Sequence, residues 1–151
     1  MGLMEQLNER ISEKVPTVVA RAIQPTFPWE TVIGYLSHCA DNQVGGPIGM
    51  MYYKLPVADQ IDSITPVKEY LSENLEVEIK GVDMYVTLTT KGNYKYNSDN
   101  DVLLWNAIGH SEFKIAEEER LLEPGDLVYI PAGLEYEYKP TTARTYIVFA
   151  L

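Results

Sequence analysis

The chain is poor in the side chains that most often hold metals or cross-link a fold. Its 151 residues include a single cysteine, Cys39, and only two histidines, His38 and His110. One cysteine excludes an internal disulfide and a cysteine-rich zinc site. His38 and Cys39 are adjacent in a predicted helix, where they point about 100° apart, so they do not form a Cys–His nucleophile pair. A lone histidine is more often an ordinary residue than a ligand, and we interpret both histidines that way.

Basic residues and long apolar runs are also scarce. There are 12 Lys and Arg against 22 Asp and Glu, which gives a formal net charge of −10. Free nucleic acid is therefore not an expected partner, because phosphate binding requires clustered cations. No apolar run approaches the roughly 20 residues that span a membrane, and no basic segment followed by an apolar stretch opens the chain. We expect no signal peptide and no membrane contact, and a cytoplasmic or virion location.

The composition suits one folded domain with a substantial core. Hydrophobic residues make up 46% of the chain, and tyrosine is abundant at 11 residues. Tyrosine is common on half-buried sheets and at interfaces, so its abundance fits a β core or a contact surface.

Apolar periodicity predicts helices in the first half of the chain. Leu3, Leu7, Ile11 and Val15 recur every four residues and predict a helix that Pro16 ends. A second helix follows Pro28, with Trp29, Val32, Ile33 and Leu36 on one face. Thr65-Pro66 is a typical helix start, and that short helix is predicted to reach Asn74.

Short β-branched and aromatic runs dominate the rest of the chain, separated by turn residues. Strands are predicted at 48–55, 77–79, 84–90, 102–108, 112–115, 127–130, 135–138 and 144–151. This spacing favours an all-β sandwich or barrel. The prediction is a single mainly β domain over residues 1–151, in which 1–74 form a helical cap plus the first strand and 75–151 form the barrel core.

One motif points to a particular barrel. The segment Gly125-Asp-Leu-Val-Tyr-Ile-Pro-Ala-Gly-Leu-Glu-Tyr136 reads as a short strand between two turns, because glycine and proline supply turn geometry. Its spacing resembles the second sequence motif of the cupins, Gly-x5-Pro-x-Gly-x2-His. The resemblance implies a double-stranded β-helix, also called a jelly roll. In catalytic cupins the final histidine is a metal ligand, whereas this chain has Tyr136.

Two further segments extend the resemblance to the JmjC-like, iron- and 2-oxoglutarate-dependent oxygenases, which include phage-encoded members. They are Tyr85-Val-Thr-Leu-Thr-Thr-Lys and Asp101-Val-Leu-Leu-Trp-Asn-Ala-Ile-Gly-His-Ser-Glu-Phe-Lys-Ile, and the strand from Arg144 follows the cupin motif. Such enzymes bind Fe(II) through two histidines and one carboxylate. The resemblance therefore places the ligands at a His-x-Asp pair just before Asp101 and at the position of Tyr136.

The sequence departs from that ligand set at every histidine. Before Asp101 it reads Tyr96-Asn-Ser-Asp-Asn100, so the pair is Asn97 and Asp99 in one register or Tyr96 and Ser98 in another. A phenolate at Tyr136 could bind iron only after losing a proton whose pKa is near ~10. We therefore interpret the iron site as lost and predict neither a bound metal nor a cofactor.

A basic residue on a late strand often anchors the distal carboxylate of 2-oxoglutarate in this family. Arg144-Thr-Tyr resembles that anchor but departs from it at the third residue. Without iron, we interpret Arg144 as a strand-start arginine paired with a surface acid, and we retain Tyr96, Tyr136 and Arg144 as ligand-binding candidates.

The leading hypothesis is a non-catalytic cupin that serves binding or assembly, one specific form of which is a phage virion component. Protein partners and a homo-oligomer are expected, because 147–151 runs apolar to the last residue and must be buried. The alternatives are an Fe(II)- and 2-oxoglutarate-dependent oxygenase with atypical ligands, and a metal-free cupin that binds a small molecule.

Overall fold

The protein folds as helices packed on a two-sheet β structure. A computed structural model describes residues 2–49 and 51–151. The helices are α1 Leu3–Glu13, α2 Trp29–Asp41 and α3 Thr65–Asn74. The strands are β1 Thr17–Val19, β2 Gly46–Gly49, β3 Tyr52–Leu55, β4 Gly81–Thr87, β5 Tyr94–Asn97, β6 Val102–Ile108, β7 Ser111–Ile115, β8 Glu118–Leu122, β9 Leu127–Ile130, β10 Glu135–Pro140 and β11 Arg144–Ala150. None of these helices has the length and apolar content that a membrane span requires.

Every strand pairing is antiparallel, and the strands form two sheets. The large sheet has the order β1-β9-β6-β11-β4-β3-β2, and the small sheet has the order β5-β10-β7-β8. One apolar core lies between the helices and the large sheet. A second core contains side chains from both sheets and fills the interior of the barrel.

The two cores explain the strand sequences. In β7, Ser111, Phe113 and Ile115 are buried while Glu112 and Lys114 are exposed, as expected for a sheet with one solvated face. By contrast, β9 is buried at every position because the helices cover one of its faces and the small sheet covers the other. These patterns confirm the predicted mainly β fold.

The strands β6 and β9 and the helix α3 begin and end at the residues that the sequence predicts. The single strand predicted at 48–55 is wrong, because that segment is a hairpin of β2 and β3 that turns through Met51 at φ +57°. Met50 lies outside the described residues. The strand predicted at 77–79 is also wrong, since those residues form a bend and coil before β4.

Three strands escaped sequence analysis: β1, β5 and β8. All three lie at the edges of their sheets. Glu118 and Glu119 of β8 are exposed, and charge on an edge strand resists unwanted pairing. The first 74 residues thus contribute β1, β2 and β3 to the large sheet, rather than the single strand that was predicted.

Asp101 connects the helical layer to the barrel. Its carboxylate accepts hydrogen bonds from the Lys14 ammonium at 2.5 Å, the Tyr129 hydroxyl at 2.9 Å and the Ala132 backbone N–H at 2.8 Å. Burial alone would raise the pKa of this carboxyl group, but the hydrogen bonds from Lys14, Ala132 and Tyr129 outweigh burial and lower it. Because Lys14 caps the end of α1, the network fixes that helix against β9.

Replacing Asp101 should therefore destabilise the fold in a pH-dependent way. We expect Asp101→Asn to lower the free energy of unfolding by about 1–3 kcal/mol near neutral pH, measured by urea denaturation. A carboxyl group with a lowered pKa stabilises the fold above its unfolded pKa of about 3.9, and this contribution is lost as pH falls through the folded value. The difference between Asp101→Asn and wild type should therefore shrink on acidification. Asp99→Asn, at an exposed neighbour, is the matched control, and equal losses in both variants would contradict the network.

Candidate functional site

Tyrosine side chains crowd the interior of the barrel. We call this group the tyrosine cluster; its members are Tyr52, Tyr85, Tyr94, Tyr96, Tyr136, Tyr138 and Tyr146. The alternating direction of side chains along a strand explains part of this clustering, because β5 and β10 each place two tyrosines on the same face. The two strands are paired so that Tyr96 lies opposite Tyr136 and Tyr94 opposite Tyr138. Their ring centroids are 5.9 Å and 5.3 Å apart, respectively, within the range of aromatic contacts.

A chain of hydroxyl groups links three of these rings. The hydroxyls of Tyr52 and Tyr146 are 2.5 Å apart, and those of Tyr146 and Tyr138 are 3.0 Å apart. Burial raises the pKa of all three phenols above the ordinary value. Burial also raises the pKa of Tyr136, to about 12. Each of these tyrosines is therefore a neutral hydrogen-bonding group near neutral pH, and not a phenolate.

The guanidinium of Arg144 lies among these rings and has no solvent exposure. Its Cζ is 4.4 Å from the ring centroid of Tyr138 and 4.3 Å from that of Tyr146, so both rings make cation–π contacts with it. Burial lowers the pKa of Arg144, yet an arginine that starts above about 12 keeps its charge near neutral pH. The interpretation of Arg144 as a surface arginine paired with an acid is therefore wrong.

No guanidinium nitrogen of Arg144 has a hydrogen-bond partner among the described residues. Four other buried side-chain oxygens also have none within that part of the chain: Thr87 Oγ1, Asn106 Oδ1, Ser111 Oγ and Thr145 Oγ1. Thr87 is the cross-strand neighbour of Arg144, and Asn106 is that of Tyr146. An unsatisfied buried donor normally has a reason, and a guanidinium presents five N–H donors and no acceptor. This corner of the barrel is therefore suited to a ligand that brings negatively charged oxygen atoms.

The predicted iron positions do not meet in the barrel. Tyr96 points inward on β5, so by alternation Asn97 points outward, and Asn97 is exposed. Asp99 lies in an exposed bend after the strand, and only Tyr136 reaches the interior. Within the described ranges, no group of three or more His, Cys, Asp or Glu side chains comes together. A neutral phenol and two outward side chains do not fit a two-histidine, one-carboxylate iron site; that the protein binds no iron stays a prediction.

The histidines and the cysteine lie elsewhere. Cys39 of α2 is buried in the core between the helices and the large sheet. The ring of His38, also on α2, stacks on Tyr35 with a centroid distance of 6.0 Å. His110 lies in the turn between β6 and β7, where its backbone N–H donates to Thr142 Oγ1 at 2.9 Å. Neither histidine belongs to the tyrosine cluster.

Solved structures of similar shape identify the fold. The E. coli ribosomal oxygenase YcfD, in complex with cobalt and succinic acid, superposes with a TM-score of 0.78 at 17% identity, covering 100% of this chain and 52% of that one. YcfD with cobalt and 2-oxoglutarate gives 0.78 at 16% identity, with the same coverage of both chains. An RmlC-like cupin from Shewanella frigidimarina gives 0.50 at 11% identity, covering 70% of this chain and 81% of that one.

The chain has a cupin fold, as its sequence predicted. Within that fold it is similar in shape to the ribosomal oxygenase YcfD, and it spans about half the length of those structures. No protein-family model matches the chain, and no curated protein sequence matches it. At such low identity the likeness concerns the fold, so the chemistry has to be argued from this chain's own residues.

Sequence analysis singled out Tyr96, Tyr136 and Arg144, and the structure brings all three into one interior. It missed Tyr52, Tyr138, Tyr146 and Thr87. A usable signal was present, because Tyr94-x-Tyr96, Tyr136-x-Tyr138 and Arg144-x-Tyr146 each repeat at the strand period of two. The contribution of Tyr52 required knowledge of the pairing between β3 and β4, which no local pattern contains.

The buried guanidinium should make the ligand-free protein less stable than it could be. Burying an unpaired ion costs several kcal/mol, whereas each cation–π contact returns about 0.5–2 kcal/mol. We therefore expect Arg144→Met, a neutral side chain of similar length, to raise the free energy of unfolding by about 1–3 kcal/mol in chemical denaturation. Arg120→Met, at an exposed position on β8, should change it little. A clear loss of stability in Arg144→Met, with little change in Arg120→Met, would contradict this expectation. It would mean that the contacts with the tyrosine rings outweigh the cost of burying the charge.

Proposed function

We propose that the protein is a non-catalytic, metal-independent binding module that holds a small carboxylate inside its cupin barrel. The observation that carries the proposal is the guanidinium of Arg144, which is fully buried and has no hydrogen-bond partner among the described residues. A carboxylate accepts two parallel N–H bonds from a guanidinium, which makes it a well-matched counterion. Its binding would neutralise the buried charge and satisfy the unpaired donors in one step.

The surroundings favour a small organic acid over a bare inorganic ion. The tyrosine cluster supplies aromatic surface for the body of the ligand. The hydroxyl of Thr87, the cross-strand partner of Arg144, adds a donor near the charged end. YcfD, the oxygenase of similar fold, was solved with succinic acid and with 2-oxoglutarate, both of which are dicarboxylic acids. Those two compounds are therefore the first ligands to test.

The same residues argue against turnover. The tyrosine hydroxyls of the interior have raised pKa values, so they are poor general bases near neutral pH. An oxygenase with atypical ligands stays the alternative, and turnover of 2-oxoglutarate that depends on added Fe(II) would support it.

The assembly and virion forms of the hypothesis stay predictions. The expectation of a homo-oligomer rested on the apolar segment 147–151. In the structure β11 lies between β6 and β4, and Ile147, Phe149 and Leu151 are buried within the chain's own core. That segment therefore gives no reason of its own for a subunit contact.

Binding can be tested directly by isothermal titration calorimetry and thermal unfolding with succinate or 2-oxoglutarate in the presence of EDTA. We expect one molecule per chain and, at a ligand concentration 100 times Kd, a stabilisation of about 2.7 kcal/mol. Arg144→Met should abolish both signals because it removes the counter-charge, while Arg120→Met should retain them.

Two results would contradict this proposal. One is binding that survives Arg144→Met, which would place the ligand elsewhere. The other is binding that appears only after Fe(II) is added, which would favour the oxygenase alternative.

A further inference from the structure

A ligand for Arg144 needs a route, because the guanidinium has no exposed surface. Most strands around it are fixed on both sides: β11 lies between β6 and β4, and β10 lies between β7 and β5. Moving either strand would break two ladders of backbone hydrogen bonds. The edge strands β1, β2, β5 and β8 are each paired on one side only.

Among these edge strands, β5 is the one that places more than one tyrosine of the cluster in the barrel. Tyr94 and Tyr96 of β5 point inward and are only partly buried. Both rings stack on Tyr138, with centroids 5.3 Å and 6.0 Å away. Tyr138 in turn makes one of the two cation–π contacts with Arg144. The rings of β5 therefore form the outer layer over the buried cation.

The backbone of β5 is paired on one side only, with β10. Its ladder with β10 contains four residue pairs, from Tyr94 opposite Tyr138 to Asn97 opposite Glu135. At its C-terminal end, Gly133 donates its N–H to the carbonyl of Ser98 at 2.9 Å. At its N-terminal end, Asn93 donates to the carboxylate of Glu137 at 2.5 Å.

The connection into β5 suits a hinge. Residues 88–93 form neither helix nor strand. Gly92 has φ +112°, a conformation that side-chain-bearing residues rarely adopt, and it lies close against the ring of Tyr94. A short edge strand next to an irregular segment belongs to the least stable part of a fold and opens by local unfolding.

We propose that β5 is the gate of the barrel: it swings away from β10 and carries Tyr94 and Tyr96 out, so that a ligand reaches Arg144. The identity of the ligand rests on the proposed function, but the motion does not. The space that the two rings vacate is the space in which the body of the ligand would lie. Tyr138 contacts both the rings of β5 and the guanidinium of Arg144. A bound anion would therefore favour the closed position.

A reversible disulfide can hold the gate shut. Lys95 of β5 and Glu137 of β10 are cross-strand partners on the outer face, so Lys95→Cys/Glu137→Cys places two thiols within bridging range. Lys114→Cys/Glu119→Cys is a matched control, because it replaces a cross-strand Lys and Glu pair of β7 and β8 on the same sheet. Cys39 is buried and stays in both proteins.

The first measurement needs no ligand. Tetranitromethane nitrates tyrosine and also oxidises free thiols. Mass spectrometry therefore reports the nitration rate at Tyr138 and Tyr146 in the disulfide-bridged protein and in protein whose introduced cysteines were reduced and then alkylated. We expect formation of the β5–β10 disulfide to slow nitration of both buried rings by at least about tenfold. The reagent reaches these rings only when the barrel opens locally, and the disulfide prevents that opening. Reduction should restore the rate, and the β7–β8 bridge should have no effect. Equal nitration rates in the bridged and reduced forms of the β5–β10 variant would overturn the gate.

The second measurement adds succinate. Stopped-flow tyrosine fluorescence should show an association rate that falls on oxidation of the β5–β10 bridge and recovers on reduction. Unchanged association in the bridged protein would also overturn the gate. An absence of succinate and 2-oxoglutarate binding in every form would contradict the proposed function, while the nitration result would still decide the gate.

Discussion

The structure depends on how a full positive charge is kept inside an apolar barrel. A guanidinium removed from water loses its hydration, and only attraction from fixed groups compensates for that loss. At Arg144 the faces of Tyr138 and Tyr146 supply this attraction, with their centroids 4.4 Å and 4.3 Å from Cζ. The hydroxyl chain from Tyr52 through Tyr146 to Tyr138 holds the two rings in place. The tyrosine cluster therefore takes the place of water around one cation and also forms part of an apolar core.

This arrangement requires a strand that serves two cores at once. Along β11, Ile147 and Phe149 pack toward the helices, while Arg144 and Tyr146 face the barrel. The register with β6 shifts between Thr145 and Tyr146, whereas the register with β4 stays regular. A bulge changes the local twist and direction of a strand, and here it lies directly beside the buried cation. Helix packing on one face thus fixes the position of the charge on the other.

The sequence predicted the parts of the fold that local patterns determine. Continuous apolar runs located β6 and β9, and Thr65-Pro66 located α3, because burial and capping act over a few residues. The edge strands β1 and β8 were missed, since an edge tolerates polar residues and its pairing is set by distant partners. For Arg144, the predicted strand is correct, but the predicted exposed environment is wrong. Whether an arginine at a strand start meets water or aromatic rings depends on which strands lie across the barrel, and no local pattern contains that information.

Tyr136 and its neighbours on β5 and β10 fill the barrel interior with neutral phenols. A histidine or carboxylate in the interior needs a metal or a partner, whereas a neutral phenol can be buried with one hydrogen bond and fills more volume. Tyr136, with its pKa raised to about 12, is a neutral phenol of that kind. Because Tyr138 touches both Arg144 and the rings of β5, the charge at the centre and the movable strand at the edge are mechanically connected. An anion that neutralises the guanidinium would strengthen the packing that closes the barrel, so binding and closure would favour each other.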